Sequence, residues 1–128
     1  MTEESIVIIL PIPNKVLQPN CTLASFGGRM MKASAIKRYR RLAAEAVEAE
    51  NVSSAPWRVV GVQAEFHYKI KRKRDEDNAV GALKSAYDGI VDSGLVSNDD
   101  YEHMHREIPK FIIDKTEPCV ILTITRIE

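Results

Sequence analysis

Aromatic residues make up only 6% of the chain. The single Trp57 and four tyrosines are too dispersed along it to make a stacking platform for bases legible. Cysteine occurs twice, as Cys21 and Cys119, with no CxxC spacing. That leaves room for a single disulfide but favours two free thiols in a reducing, cytoplasmic setting. No run approaches the ~18 apolar residues of a membrane span, so no membrane association is expected. The apolar residues 6–12 follow Thr-Glu-Glu rather than cations and run into prolines rather than a small-residue cleavage site. They read as an internal strand, not a signal peptide. Phosphate-binding glycine loops and the GxSxG elbow are also missing, which removes the common nucleotide-binding and serine-hydrolase classes. Finally there is no net charge, with 18 Lys and Arg against 18 Asp and Glu. Bulk charge alone therefore predicts no nucleic-acid partner.

What is present is charge that is locally separated, and local separation matters more than the sum. Arg29, Lys32, Lys37, Arg38, Arg40 and Arg41 follow one another with no acid between them. Residues 69–74 are basic at every position but Ile70, whereas residues 88–102 carry Asp88, Asp92, Asp99, Asp100 and Glu102 without a base. A length of 128 residues suits one domain spanning residues 1–128. Residues 6–12 read as a fully buried strand, because apolar residues run there without alternation. A long loop with Gly-Gly as a turn signal follows, then a helix from about 32 to 50 carrying Ile36, Tyr39, Ala43, Ala46 and Val47 as its stripe. Alternation over residues 60–70 is the clearest strand signal. A second helix carries Leu83, Ala86, Tyr87, Ile90 and Val91 and closes at Gly94. Two last strands are expected at about 105–113 and 119–127, joined by a polar turn at 114–117. The predicted class is α/β (α+β): a small mixed sheet against two main helices, in the order β-α-β-α-β-β.

The chemistry concentrates where Lys69, Lys71, Arg72, Lys73 and Arg74 meet Asp75, Glu76 and Asp77. If the extended backbone continues past residue 70, Asp75 and Asp77 share a face with the lysines and Glu76 turns away. Two such carboxylates suit a hard cation such as Mg²⁺, with a third ligand from Asp99 or Asp100 beyond the turn at Gly94. Lys84, two helical turns after Asp77, could lean toward the same phosphate. On spacing alone a plainer reading comes first, because a DxD is common and weakly specific. Asp77 is a good helix N-cap, and Lys84 with Asp88 is an i,i+4 surface pair. An EF-hand loop is excluded, because the positions counted from Asp75 would need an oxygen ligand at Ala79, glycine at Val80 and glutamate at Ala86. His103 and His105 have no third ligand at zinc-like spacing.

The ordered set Arg74-Asp75-Glu76-Asp77-Asn78, Leu83-Lys84, Asp88-Gly89, Gly94-Leu95 and Asn98-Asp99-Asp100 resembles the RusA family of Holliday-junction resolvases. The opening Leu10-Pro11-Ile12-Pro13, the Pro19-Asn20 loop and the basic segment from Lys32 are similar to that family as well, so the likeness covers nearly the whole chain. It implies a Mg²⁺-dependent homodimer, of the kind phages carry, that cuts four-way DNA junctions in recombination and repair, with Mn²⁺ as a substitute ion. It further implies Asp75, Asp77 and Asp99 as metal ligands (Asp100 with a one-residue shift), Lys84 as the catalytic lysine, and Lys69, Lys71, Arg72, Lys73, Arg74, Arg29 and Lys32 as phosphate contacts. One departure stands out: residues 79–82 separate Asn78 from Leu83-Lys84 where the family pattern is shorter. An added turn keeps the azimuth of Lys84 but moves it about 5–6 Å along the axis. Because of that departure, a non-catalytic protein that binds branched DNA is the alternative expectation.

Overall fold

Alternating apolar residues make strand β2, Val60–Tyr68, the centre of the sheet in a computed structural model that describes residues 4–19, 21, 24–71 and 73–128. Val60, Val62, Ala64 and Phe66 point to one face and are buried. One edge of β2 pairs antiparallel with β5, Cys119–Arg126. The other edge pairs in parallel with two short strands in succession, β3 (Met104–Arg106) against Val60–Val62 and β4 (Lys110–Ile113) against Glu65–Tyr68. Strand β1, Ser5–Leu10, lies outside β5 and completes the 5-stranded mixed sheet. Helix α1, Phe26–Glu48, and the pair α2 (Glu76–Gly81) and α3 (Lys84–Asp92) supply the helical layer. A single 3-10 turn at Lys15–Leu17, capped by Asn14, links β1 to α1.

One continuous apolar cluster joins the layers. Ile8, Leu10, Val120, Leu122 and Ile124 meet Tyr39, Ala43 and Val47 of α1 and Leu83, Ala86, Tyr87 and Ile90 of α3. Each such large side chain contributes about 1.5–3 kcal/mol on burial. Helices α1 and α3 touch closely at Gly89, where an added Cβ would lie 2.2 Å from the Arg40 carbonyl oxygen. Beside that contact, Arg40 grips Asp92 in a two-point ion pair, with bonds of 2.5 and 2.8 Å. Gly94 ends α3 at φ +87°, a conformation that side chains disfavour.

The expected α+β class is found, with four corrections of detail. Residues 6–12 are not a fully buried strand: β1 is an edge strand, and Val7 and Ile9 are 49% and 66% exposed. With β5 on one side only and helices on one face, half of its side chains face outward. The first helix begins at Phe26 rather than near Lys32, because Ser25 accepts a hydrogen bond from the Gly28 N–H and caps it. The Gly-Gly pair is thus helical, not a turn. The expected second helix is broken at Ala82-Leu83, and the expected strand over 105–113 is split at residues 107–109, where Pro109 has no N–H to pair. No helix among the described residues is long and apolar enough to cross a membrane. Of the residues singled out above, Arg72 and Asn20 lie outside the described set.

Candidate active site

The extended backbone stops at Tyr68, so the period-two face expected to carry Lys69 through Asp77 does not form. Asp75, rather than Asp77, caps the next helix: its Oδ1 accepts hydrogen bonds from the backbone N–H groups of Asp77 (3.0 Å) and Asn78 (3.3 Å). Asp77 lies in the first turn of α2, where an acid is favoured by the helix dipole. Among the described residues its carboxylate has no partner. Asn78 is anchored by a 3.0 Å bond from its amide to Gln18.

Lys84 opens α3, and its ammonium bridges two carboxylates, Asp88 at 3.0 Å and Asp99 at 2.5 Å. The i,i+4 pair expected on the surface therefore exists, and the chain beyond Gly94 closes over it to add a second acid. Asp99 also accepts from Arg106, at its backbone oxygen (2.8 Å) and at Oδ2 (3.4 Å). The guanidinium of Arg106 sits 4.5 Å from the ring centroid of Tyr87. Burial pushes the Tyr87 phenol up to about 12, partly offset by that cation. The hydrogen bond from Lys84 holds the Asp99 carboxyl below its ordinary range. Reciprocally, the bond to Asp99 raises Lys84, so Lys84 is a fixed cation: it can stabilise negative charge or give a proton, but it cannot act as a base at neutral pH. Val80, Gly81, Lys84, Tyr87, Asp99 and Arg106 line an open groove of about 360 Å³, and Val80 stands one turn beyond Asp77.

Asp100 has a different occupation. Its Oδ1 accepts from the N–H groups of Glu102 and His103 and lies 2.6 Å from Nδ1 of His103, so it shapes the turn. Among the described residues no three His, Cys, Asp or Glu side chains converge as a ready ligand set. The donor chemistry nevertheless suits a hard cation. Asp75 keeps one oxygen uncommitted by its cap, Asp77 has no partner among the described residues, and Asp99 presents a carboxylate in the neighbouring groove.

Of the expected phosphate contacts, Lys69, Lys71 and Lys73 are exposed, as is Arg29. Lys32 donates to the Cys21 carbonyl at 3.1 Å. Arg74 folds back with its guanidinium 3.6 Å from the centroid of the Tyr68 ring. His67 lies between Glu65 and Asp114, at 3.2 and 3.6 Å. Cys119 is its register partner, with a thiol raised by burial and by nearby acids, so a nucleophilic role is unsupported.

Arg106 escaped the sequence reading. The signal was there: Arg106 is two residues from the buried Met104, so the strand period puts both on the helix-covered face. An arginine on that face needs an acid or a ring beside it. No protein-family model matches the chain, and no curated protein matches it.

Proposed function

We propose that the chain is a Mg²⁺-dependent, structure-selective endodeoxyribonuclease that hydrolyses phosphodiesters of four-way DNA junctions. The observation that carries this reading is the Lys84–Asp99 contact. It joins two of the four residues that the family resemblance marks as catalytic, from positions 15 residues apart, in one open groove. The order of the remaining parts fits: an uncommitted Asp77 and a half-committed Asp75 at the strand-to-helix junction, preceded by exposed lysines. Asp75, Asp77 and Asp99 would hold the ion, which when bound activates water and offsets charge on phosphorus. Lys84 and Arg106 would place positive charge against the phosphate as its negative charge grows. Lys69, Lys71, Lys73 and Arg29 would bind flanking phosphates, a contribution that weakens with salt.

A homodimer belongs to the same reading, since a two-fold junction suits a two-fold protein. Val7 and Ile9 on edge strand β1, and Phe26, Met30 and Met31 on α1, are exposed apolar surface that a second copy would cover. Sedimentation at a dimer's mass supports this, and a monomer at working concentration refutes it.

The decisive experiment is cleavage of a labelled four-way junction with Mg²⁺. Symmetric nicking by the wild type and none by Asp77→Asn support the nuclease; an intact junction, or equal cutting by the variant, overturns it. A second reading, a non-catalytic binder of branched DNA, is favoured by the neutralisation of Asp99 by Lys84 and Arg106. Junction binding with no cleavage in Mg²⁺ or Mn²⁺ would select it.

A further inference from the structure

The carboxyl ends of the parallel strands β2 and β4 carry a feature that the acid cluster does not use. Phe66 and Phe111 are register partners, as are Tyr68 and Ile113, so all four side chains share the helix-side face. The helices cover Phe66 completely but leave Tyr68 and Phe111 half-buried and Ile113 47% exposed. The rings form a ladder, with Tyr68 and Phe111 centroids 6.1 Å apart and planes 20° from parallel. The chain then returns over this ladder. Arg74 lays its guanidinium on Tyr68, tied by a 3.3 Å bond to the Ile70 carbonyl, and its buried Nε has no hydrogen-bond partner among the described residues. Beside this stacked pair, Tyr68, Lys71, Arg74, Glu76, Phe111 and Ile113 line a cleft of about 420 Å³.

We propose that this cleft is a docking pocket for a single unpaired nucleobase of a DNA strand. Its volume lies within the roughly 300–1,000 Å³ of small-molecule sites. Its walls offer aromatic rings and a flat guanidinium, the surfaces on which splayed bases stack. Lys71 on its rim, with the exposed Lys69 and Lys73 next to lining residues in sequence, supplies contacts for the backbone that carries the base. Glu76 selects a base over a bare phosphate: a carboxylate repels the anion but accepts hydrogen bonds from exocyclic amino groups. A base still paired in duplex cannot enter such a cleft without leaving the stack, so the occupant comes from a branch point or a single strand. Glu76 directly follows Asp75, the N-cap of α2, so the pocket adjoins the proposed metal carboxylates. The inference rests on the reading of the chain as a DNA-acting protein, and it names the part of the substrate held next to the site of cleavage.

The test is binding without metal, by fluorescence anisotropy, of a short oligodeoxycytidylate, whose bases carry the exocyclic amino group, and of the same sugar-phosphate strand lacking bases. The wild type is expected to prefer the base-bearing strand on the order of tenfold. Arg74→Lys, which keeps the charge and removes the plane, and Phe111→Leu, which removes a ring, should each bring the two affinities together. Both variants are checked for folding by thermal melting. Equal binding of the two strands by wild type, or undiminished preference in both variants, overturns the pocket. The outcomes are separable from the nuclease assay. Base preference without cleavage refutes the nuclease and keeps the pocket, whereas cleavage without base preference refutes the pocket alone.

Discussion

The acidic residues of the candidate site fall into two groups that live under different electrostatic conditions. At the head of α2, Asp75 gives one oxygen to the helix N-terminus and Asp77 gives none, so this half is open to solvent and to a ligand. At the head of α3, Lys84 holds Asp88 and Asp99 together, and Arg106 closes the far side. The first half is negative and unsatisfied. The second carries its own counter-charge. A phosphodiesterase needs both kinds of group, carboxylates that accept a cation and cations that accept a phosphate. What separates them in sequence is the break at Ala82-Leu83, which lets α2 and α3 run as two short helices rather than one.

The comparison breaks most sharply at Asp77. Asp77→Asn is expected to lower Mg²⁺-dependent junction cleavage by ~100-fold or more while leaving the melting temperature within a few degrees, because its carboxylate is exposed and has no partner among the described residues. A parallel drop in melting temperature would show the group to be structural. Next in size is Gly89→Ala, which forces apart α1 and α3 and so acts on the Lys84 half alone. A loss of about 1–3 kcal/mol in denaturant unfolding is expected, from overpacking against backbone that cannot yield. Asp75→Ala removes an N-cap and should cost ~1 kcal/mol on the open half. A cost near zero would mean that Asp75 does not cap α2 in solution.

The smallest effect concerns the paired half and depends on pH. Lys84→Met should reduce stability by less than about 1 kcal/mol, since the lysine side chain is 63% exposed. Asp99 is shifted down, so its share of the pair's stability is present above the ordinary carboxylate value and is lost as pH falls through the lowered one. Lys84 is shifted up, so its share is present below the ordinary lysine value and is lost as pH rises through the raised one. The difference in melting temperature between wild type and variant should therefore be flat from about pH 5 to 9 and shrink below about pH 4. A difference that persists unchanged at pH 2 would place the effect in packing rather than charge.

Much of the scaffold could be read in one dimension. The alternation in β2, the apolar stripe of α3, its stop at Gly94 and the polar turn at Asp114 are all local patterns, and all are present. The misreadings share a cause. The strand at residues 6–12 looks buried because it is apolar, but exposure depends on how many neighbours a strand has, and β1 has one. The dispersed aromatics gave no hint of a platform, yet parallel pairing of β2 with β4 brings Tyr68 and Phe111 together from 43 positions apart. In the site, Asp75, Asp77, Lys84 and Asp99 were marked by motif, whereas Arg106 was not, because its role comes from the ring and the acid that it meets.

By itself the sequence determined which residues could carry charge to a phosphate or a cation, and in what order along the chain. It also determined the periods of two and 3.6 that make β2 and α3. Only the tertiary structure decided which carboxylates are neutralised and which are left open. A lysine's charge is felt over a few ångströms, and those few ångströms between Lys84 and Asp99 are bridged by packing, not by sequence neighbourhood.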